Sequence, residues 1–186
     1  MKKRVVLLGD SIRLLGYGDP VAKALTAEFD VWQPTENCRF AKHTFRGTYD
    51  WRASIEGADI IHWNNGLWDI YRAVDGDVFT PIGQYVDEMV RLAKVLKSKA
   101  KTVIFATTTP VREENPGMDN RDIQDYNDAL VPRLAEMGIV INDLHAVIQE
   151  DIHRYICDDL THLSEAGIAV CAKQVEKIIR QEAEKL

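Results

Sequence analysis

The chain has 186 residues, 46% of them hydrophobic and 28% charged, which is the make-up of a globular domain and excludes a disordered, fibrous or collagen-like chain. Folding at this length removes roughly 70% of the unfolded surface from water, so a core forms without metals or disulfides to staple it. A formal net charge of −6 argues against nucleic acid or an anionic membrane as the principal partner and favours a small neutral one.

The opening Met1-Lys2-Lys3-Arg4 imitates the basic start of a leader peptide. The apolar run Val5 to Leu8 then stops at Gly9, short of the roughly 7–15 residues a secretory leader needs. No stretch approaches the roughly 20 apolar residues that span a bilayer. The cysteines Cys38, Cys157 and Cys171 are odd in number and lack metal-ligand spacing, which predicts a reducing, cytoplasmic setting with no metal and no cofactor. Repeats, low-complexity tracts and linkers are absent, so residues 1–186 are expected to form one domain.

In chain order, Arg4 to Leu8 reads as a buried strand closed by Gly9-Asp10-Ser11. Asp19-Pro20 places a capping acid before a proline and predicts a helix to about Phe29. Val31 to Gln33 is a second strand, a helix lies near Trp51 to Glu56, and Asp59 to Asn64 is a third strand. Ile82, Tyr85, Val86, Met89, Leu92, Ala93 and Leu96 recur at spacings of three and four, one face of an amphipathic helix. Thr102 to Thr107 is a fourth strand. Ile123, Tyr126, Leu130, Leu134 and Met137 mark a helix that contains Pro132 and ends at Gly138, before a fifth strand from Ile139 to Ile141. The last helix opens at Ser164 and buries Ile168, Cys171, Val175, Ile178 and Ile179. Strands alternating with helices predict an α/β fold, a parallel sheet covered on both faces, whose sites lie at the carboxyl ends of the strands.

Two motifs fall at that edge. Ser11 in Gly9-Asp10-Ser11 sits at a strand-to-helix turn, where it is either a nucleophile facing the helix-start N–H groups or a plain helix cap. Phosphate-loop readings fail, because no Gly-Lys-Ser/Thr follows and Gly16-Tyr17-Gly18 lacks a GxGxxG continuation. In Asp159-Leu160-Thr161-His162 the carboxylate can meet one imidazole nitrogen and leave the other free as a general base; the plain alternative is a surface Asp–His pair. A metal site with Asp158 or His153 lacks zinc-like spacing.

Taken together, Gly9-Asp10-Ser11 and Asp159-x-x-His162 resemble the opening and closing blocks of the SGNH (GDSL-like) hydrolases. The segments Asp59 to Asp69, Thr107 to Val111, Tyr126-Asn127 and Asn142-Asp143-Leu144 are similar to a branch of small esterase-like members. The resemblance implies a flavodoxin-like α/β/α sandwich with a five-stranded parallel sheet. It also implies Ser11 as nucleophile, His162 as general base and Asp159 as the carboxylate that orients the base.

The oxyanion hole of such enzymes uses the Ser N–H, a second-block Gly N–H and the Asn of Gly-x-Asn-Asp. Here Gly66-Leu67-Trp68-Asp69 carries Trp68 in the Asn position, so Asn64 is the expected substitute and Asn65 the next candidate. The second block, Glu36-Asn37-Cys38-Arg39-Phe40, has no Gly; a backbone N–H of Cys38 or Arg39 is expected to serve, with Asn37 or Arg39 also able to bind substrate or to play plain turn and ion-pair roles. Asn37, Asn65 and Trp68 are therefore the expected substrate contacts, Trp68 and Trp63 either stacking on a sugar ring or packing in the core, with Trp32 and Trp51 assigned to the core. His43, His62, His145 and His153 have no partner pattern and are assigned structural roles.

The leading expectation is a serine esterase for short-chain acyl esters, including O-acetylated sugars, with a small-molecule ester as its partner. The alternatives are a catalytically weak glycan- or small-molecule-binding module, or a thioesterase or lysophospholipase. Oligomeric state is not legible, and little chain is left over for a lid, so selectivity is expected from short loops at the sheet edge.

Overall fold

β1 (Lys3–Leu8), β2 (Phe29–Trp32), β3 (Ala58–Trp63), β4 (Ala100–Ala106) and β5 (Val140–Asn142) form one parallel sheet in the order β2-β1-β3-β4-β5. The computed structural model describes residues 1–186. Val5, Val6, Ile60, Ile61, Val103 and Ile104 are buried on the central strands, as a sheet with both faces covered requires. They belong to one contiguous apolar core of 43 buried residues.

The helices are α1 (Gly18–Leu25), α2 (Ala41–Asp50), α3 (Arg52–Ile55), α4 (Leu67–Ile70), α5 (Ile82–Lys99), α6 (Asn120–Glu136), α7 (Leu144–Gln149), α8 (Ile152–Tyr155) and α9 (Glu165–Ala183). On α5 the expected face is buried at Tyr85, Met89, Leu92, Ala93 and Leu96, whereas Ile82 is exposed. On α9 the Ser164 hydroxyl accepts the Gly167 N–H at 3.2 Å, the cap read from sequence. Gly138 takes φ 74° just past α6, the left-handed geometry for which glycine has no steric cost. Pro132 lies inside α6.

Several elements differ from the sequence reading: the first helix ends at Leu25 rather than near Phe29, β2 begins at Phe29, and the short helices α4, α7 and α8 are unexpected. Winding begins at Ile12 and not at Asp19: a π-helical segment, Ile12–Tyr17, runs into α1, and Pro20 falls in that helix's first turn, where no N–H is needed. Helix α2 carries no apolar stripe because it buries Ala41, Thr44, Gly47 and Thr48, small and polar residues that leave no hydrophobic period to read. No helix is long and apolar enough to cross a membrane.

Candidate active site

In this strand order the connections from β1 and β3 leave on opposite sides, and the crevice between their carboxyl ends is where α/β sheets bind ligands. Ser11 stands at that crevice. Its backbone is already helical, with φ −64° and ψ −25°, and its side chain makes no cap hydrogen bond. The helix-cap reading therefore fails, and neither the Ser11 hydroxyl nor its N–H is engaged by the protein.

Asp10, beside it, points inward. Its Oδ1 accepts the Ile12 N–H at 2.9 Å and the Asn64 Nδ2 amide at 2.8 Å, and burial pushes its carboxyl up to about 6. The Tyr17 hydroxyl donates to Asn64 Oδ1 at 2.9 Å. With one end held by Tyr17 and the other by Asp10, the Asn64 amide has a fixed orientation and keeps its second N–H unpaired. Gly9 permits this approach, since a Cβ there would lie 2.0 Å from Asn64 Oδ1. Gly66 similarly lets the β3 loop close on Thr108, whose Oγ1 would lie 1.9 Å from an added Cβ.

Sequence reasoning missed Arg13. Its guanidinium is fully buried and donates to Pro34 O at 2.8 Å, Glu36 O at 2.7 Å and Gly9 O at 3.2 Å. One cation thereby ties the loop after β2 to the loop after β1. Cys38 Sγ accepts the Gly9 N–H at 3.3 Å in the same knot, and burial pushes its thiol up. The readable signal was position: Arg13 falls two residues after Ser11, inside a segment otherwise apolar at Ile12, Leu14 and Leu15.

The His162 side of the candidate site is built differently. His162 Nδ1 lies 2.7 Å from Asp159 Oδ2, while Asp159 Oδ1 accepts the backbone N–H groups of His162 at 2.8 Å and Thr161 at 3.0 Å. Despite some cost of burial, these donors hold the Asp159 carboxyl below its ordinary value. A second loop holds this one in place. Arg112 donates to Ile156 O at 2.7 Å and His153 O at 3.1 Å, and Asn115 Nδ2 donates to Thr161 Oγ1 at 2.9 Å. Leu160 takes φ 69°, a strained turn that these contacts maintain.

Ser11 and His162 line one cavity of about 700 Å³, together with Leu15, Asn37, Phe40, Leu67, Trp68, Tyr71, Phe79, Met118 and Thr161. No hydrogen bond joins the Ser11 hydroxyl to His162. Asn64 lies next door, in a narrow crevice with Asp10, Ile12 and Thr107 to Thr109 that shares Leu67 with the cavity.

Several expected contacts fall elsewhere. Asn65 lines neither the cavity nor the crevice: its Nδ2 donates to Arg39 O at 2.6 Å and its Oδ1 accepts the Trp63 indole at 3.0 Å, which turn its amide toward other partners. The Arg39 N–H is not free for an oxyanion, because Asn37 Oδ1 accepts it at 2.7 Å, and the Cys38 N–H donates to Gly9 O at 3.1 Å. Arg39 nonetheless has φ 51°, the conformation a glycine would supply, and its guanidinium lies over the Trp68 ring at 5.8 Å. Trp63 is fully buried against Phe105, whereas Trp68 is 41% exposed at the cavity. Trp32 and Trp51 are only partly buried and pack on each other. His62 is buried beside Asn142 Nδ2 at 3.0 Å, and burial pushes it down to about 3, so it is neutral. No group of three or more His, Cys, Asp or Glu side chains converges to hold a metal ion.

No family model matches the sequence, and no curated protein matches it either. Solved structures do. A lipase/acylhydrolase from Enterococcus faecalis superposes with a TM-score of 0.78 at 16% identity, covering 96% of each chain. An acetylxylan esterase from Geobacillus stearothermophilus superposes at 0.74 and 17% identity, over 94% of this chain and 93% of that one. A member of the lipolytic G-D-S-L family from Veillonella parvula gives 0.76 at 17% identity, over 95% of this chain and 97% of that one. Likenesses of this extent at so low an identity speak to architecture, and the chain has the fold of the SGNH, or GDSL-like, hydrolases.

Proposed function

We propose that this protein is a serine esterase of the SGNH type that hydrolyses small carboxylic esters with a short acyl group. The observation that carries the reading is the meeting of a Ser11 hydroxyl free of any protein partner with a His162 backed by Asp159 at 2.7 Å, in one cavity. The structural neighbours, an acylhydrolase and acetylxylan esterases among them, support the same chemistry.

In this reading His162 Nε2 removes the Ser11 proton as Oγ attacks the ester carbonyl, and Asp159 holds the imidazole with Nδ1–H toward itself. The resulting oxyanion takes the Ser11 N–H and the second N–H of Asn64, whose orientation Tyr17 and Asp10 preset. One such donor is worth about 3–4 kcal/mol, so two make a working hole without help from Arg39. His162 then protonates the leaving alcohol, and water, activated by the same imidazole, releases the acid from Ser11. The Ser11 to His162 hydrogen bond forms on substrate binding, as catalytic bonds of unliganded sites commonly do.

The test is direct. Purified protein is expected to release p-nitrophenol from p-nitrophenyl acetate and to be labelled by a fluorophosphonate, with Ser11→Ala losing both, turnover by roughly 10³-fold or more. Equal labelling of Ser11→Ala overturns the reading. The binding-module alternative draws on the absent Ser11 to His162 bond and the occupied Arg39 N–H. Thermal stabilisation of the wild-type protein by an acetylated sugar, without turnover, would favour it.

A further inference from the structure

Which ester such a site accepts is written in the walls of the cavity. Leu67 separates two spaces: the narrow Asn64 crevice, with no room for a bulky group, and the cavity of about 700 Å³. The second is large enough for a drug-sized group. Its lining is mostly apolar or aromatic, Leu15, Phe40, Trp68, Tyr71, Phe79 and Met118 among them, and its remaining polar residues are Ser11, Asn37, Thr161 and His162. A polyhydroxylated sugar placed there would meet few partners for its hydroxyls, and each one buried without a partner costs free energy. An alkyl or aryl group would remove these side chains from water.

The walls are also fixed. Tyr71 and Phe79 stand at the base of a short hairpin joined by the Arg72 to Val78 bridge and the Phe79 N–H to Tyr71 O bond at 2.9 Å. The hairpin is tied down by the Arg72 N–H to Gly117 O at 2.9 Å, by the Arg72 to Asp122 ion pair, and by the Tyr126 hydroxyl on Thr80 O at 2.7 Å. Phe79 packs on Phe40 with ring centroids 5.3 Å apart. Tyr71, Phe79, Leu15 and Trp68 are nevertheless among the large apolar side chains left exposed in the protein, so an apolar surface is held open beside the nucleophile.

Catalytic geometry decides which half of the ester fills it. The general acid must reach the leaving oxygen, and His162 and Thr161 line this cavity and not the narrow crevice. We propose that the cavity binds the alcohol portion of the substrate, and that this portion is an alkyl chain or aromatic ring and not a sugar. Phe40, Trp68, Tyr71 and Phe79 are then the specificity-determining residues. The inference rests on the serine-esterase reading.

The experiment measures kcat/KM for ethyl, butyl, hexyl and octyl acetate by titration of the released acid, beside methyl esters of acetic to octanoic acid and an acetylated xylooligosaccharide. Along the acetate series kcat/KM is expected to rise by up to about fourfold per added methylene, at least as far as hexyl acetate. Phe79→Ala is expected to lower the ratio of hexyl to ethyl acetate about tenfold, the series in the wild-type protein standing as the test should the variant fold poorly. A flat or falling acetate series, a rise only along the acid series, or a preference for the acetylated sugar overturns the proposal. Fluorophosphonate labelling of wild-type Ser11 separates the two failures: labelling with a flat series rejects the alcohol site alone, and no labelling rejects the esterase reading beneath it.

Discussion

The two halves of the candidate site are held by opposite means. Ser11 stands on a polar knot sunk into the sheet edge, where Arg13 is fully buried, Asp10 is 1% exposed and Asn64 is 6% exposed. The His162 and Asp159 side chains are 33% and 51% exposed on a loop braced by a second loop. In the knot each buried donor or acceptor is costly to leave unpaired, so the position of Ser11 is bound up with the stability of the fold. On the His162 side water can replace lost bonds. Position there matters little for folding.

The contrast breaks most visibly at Arg13. Arg13→Met keeps much of the apolar stem but leaves the carbonyls of Gly9, Pro34 and Glu36 without their donor, at a cost of roughly 3 kcal/mol or more. Thermal unfolding is expected to show Tm falling by roughly 10 °C in a domain this size. A variant as stable as the wild type would mean that the knot is not what holds the β1 edge. On the other side, Arg112→Ala removes the donors to Ile156 O and His153 O and the ion pair with Asp158. Here kcat/KM is expected to fall about 10- to 100-fold through misplacement of His162, with Tm moving by only a few degrees. A large fall in Tm with undiminished activity would invert the comparison.

The sequence exposed the His162 side of the candidate site more fully than the Ser11 side, and the reason is physical. Asp159 and His162 meet within one turn of chain, so spacing alone brings the imidazole to the carboxylate. Strands and long helices were equally legible because their apolar periods are local. The knot is made by residues far apart in the chain: Asn64 meets Asp10 and Tyr17 across the sheet, and Arg13 meets the loop after β2. No local pattern encodes those pairings. Asn65, ranked in the sequence only one place behind Asn64, differs from it by its partners, the Arg39 carbonyl and the Trp63 indole in place of Asp10 and Tyr17. Arg39 shows a subtler limit, since its left-handed backbone supplies the bend of the missing glycine while Asn37 occupies its N–H.

Asp69 sharpens the comparison by the smallest expected effect. Its Oδ2 accepts the Ala41 N–H at 3.1 Å, its Oδ1 has no partner, and burial pushes its carboxyl up to about 7. An unfolded Asp ionises near 3.9, so between roughly pH 4 and pH 7 the folded chain binds more protons than the unfolded one. Asp69 therefore makes stability fall as pH rises through that window and flatten above it. Asn in its place keeps an acceptor for Ala41 and removes the charge. Asp69→Asn is expected to raise Tm by about 5 °C at pH 8 and by much less at pH 4, where the unfolded Asp is also about half protonated. A Tm difference that stays the same at both pH values would show that Asp69 acts through packing alone, and that the buried polar groups on the Ser11 side are less sensitive to charge than their burial implies.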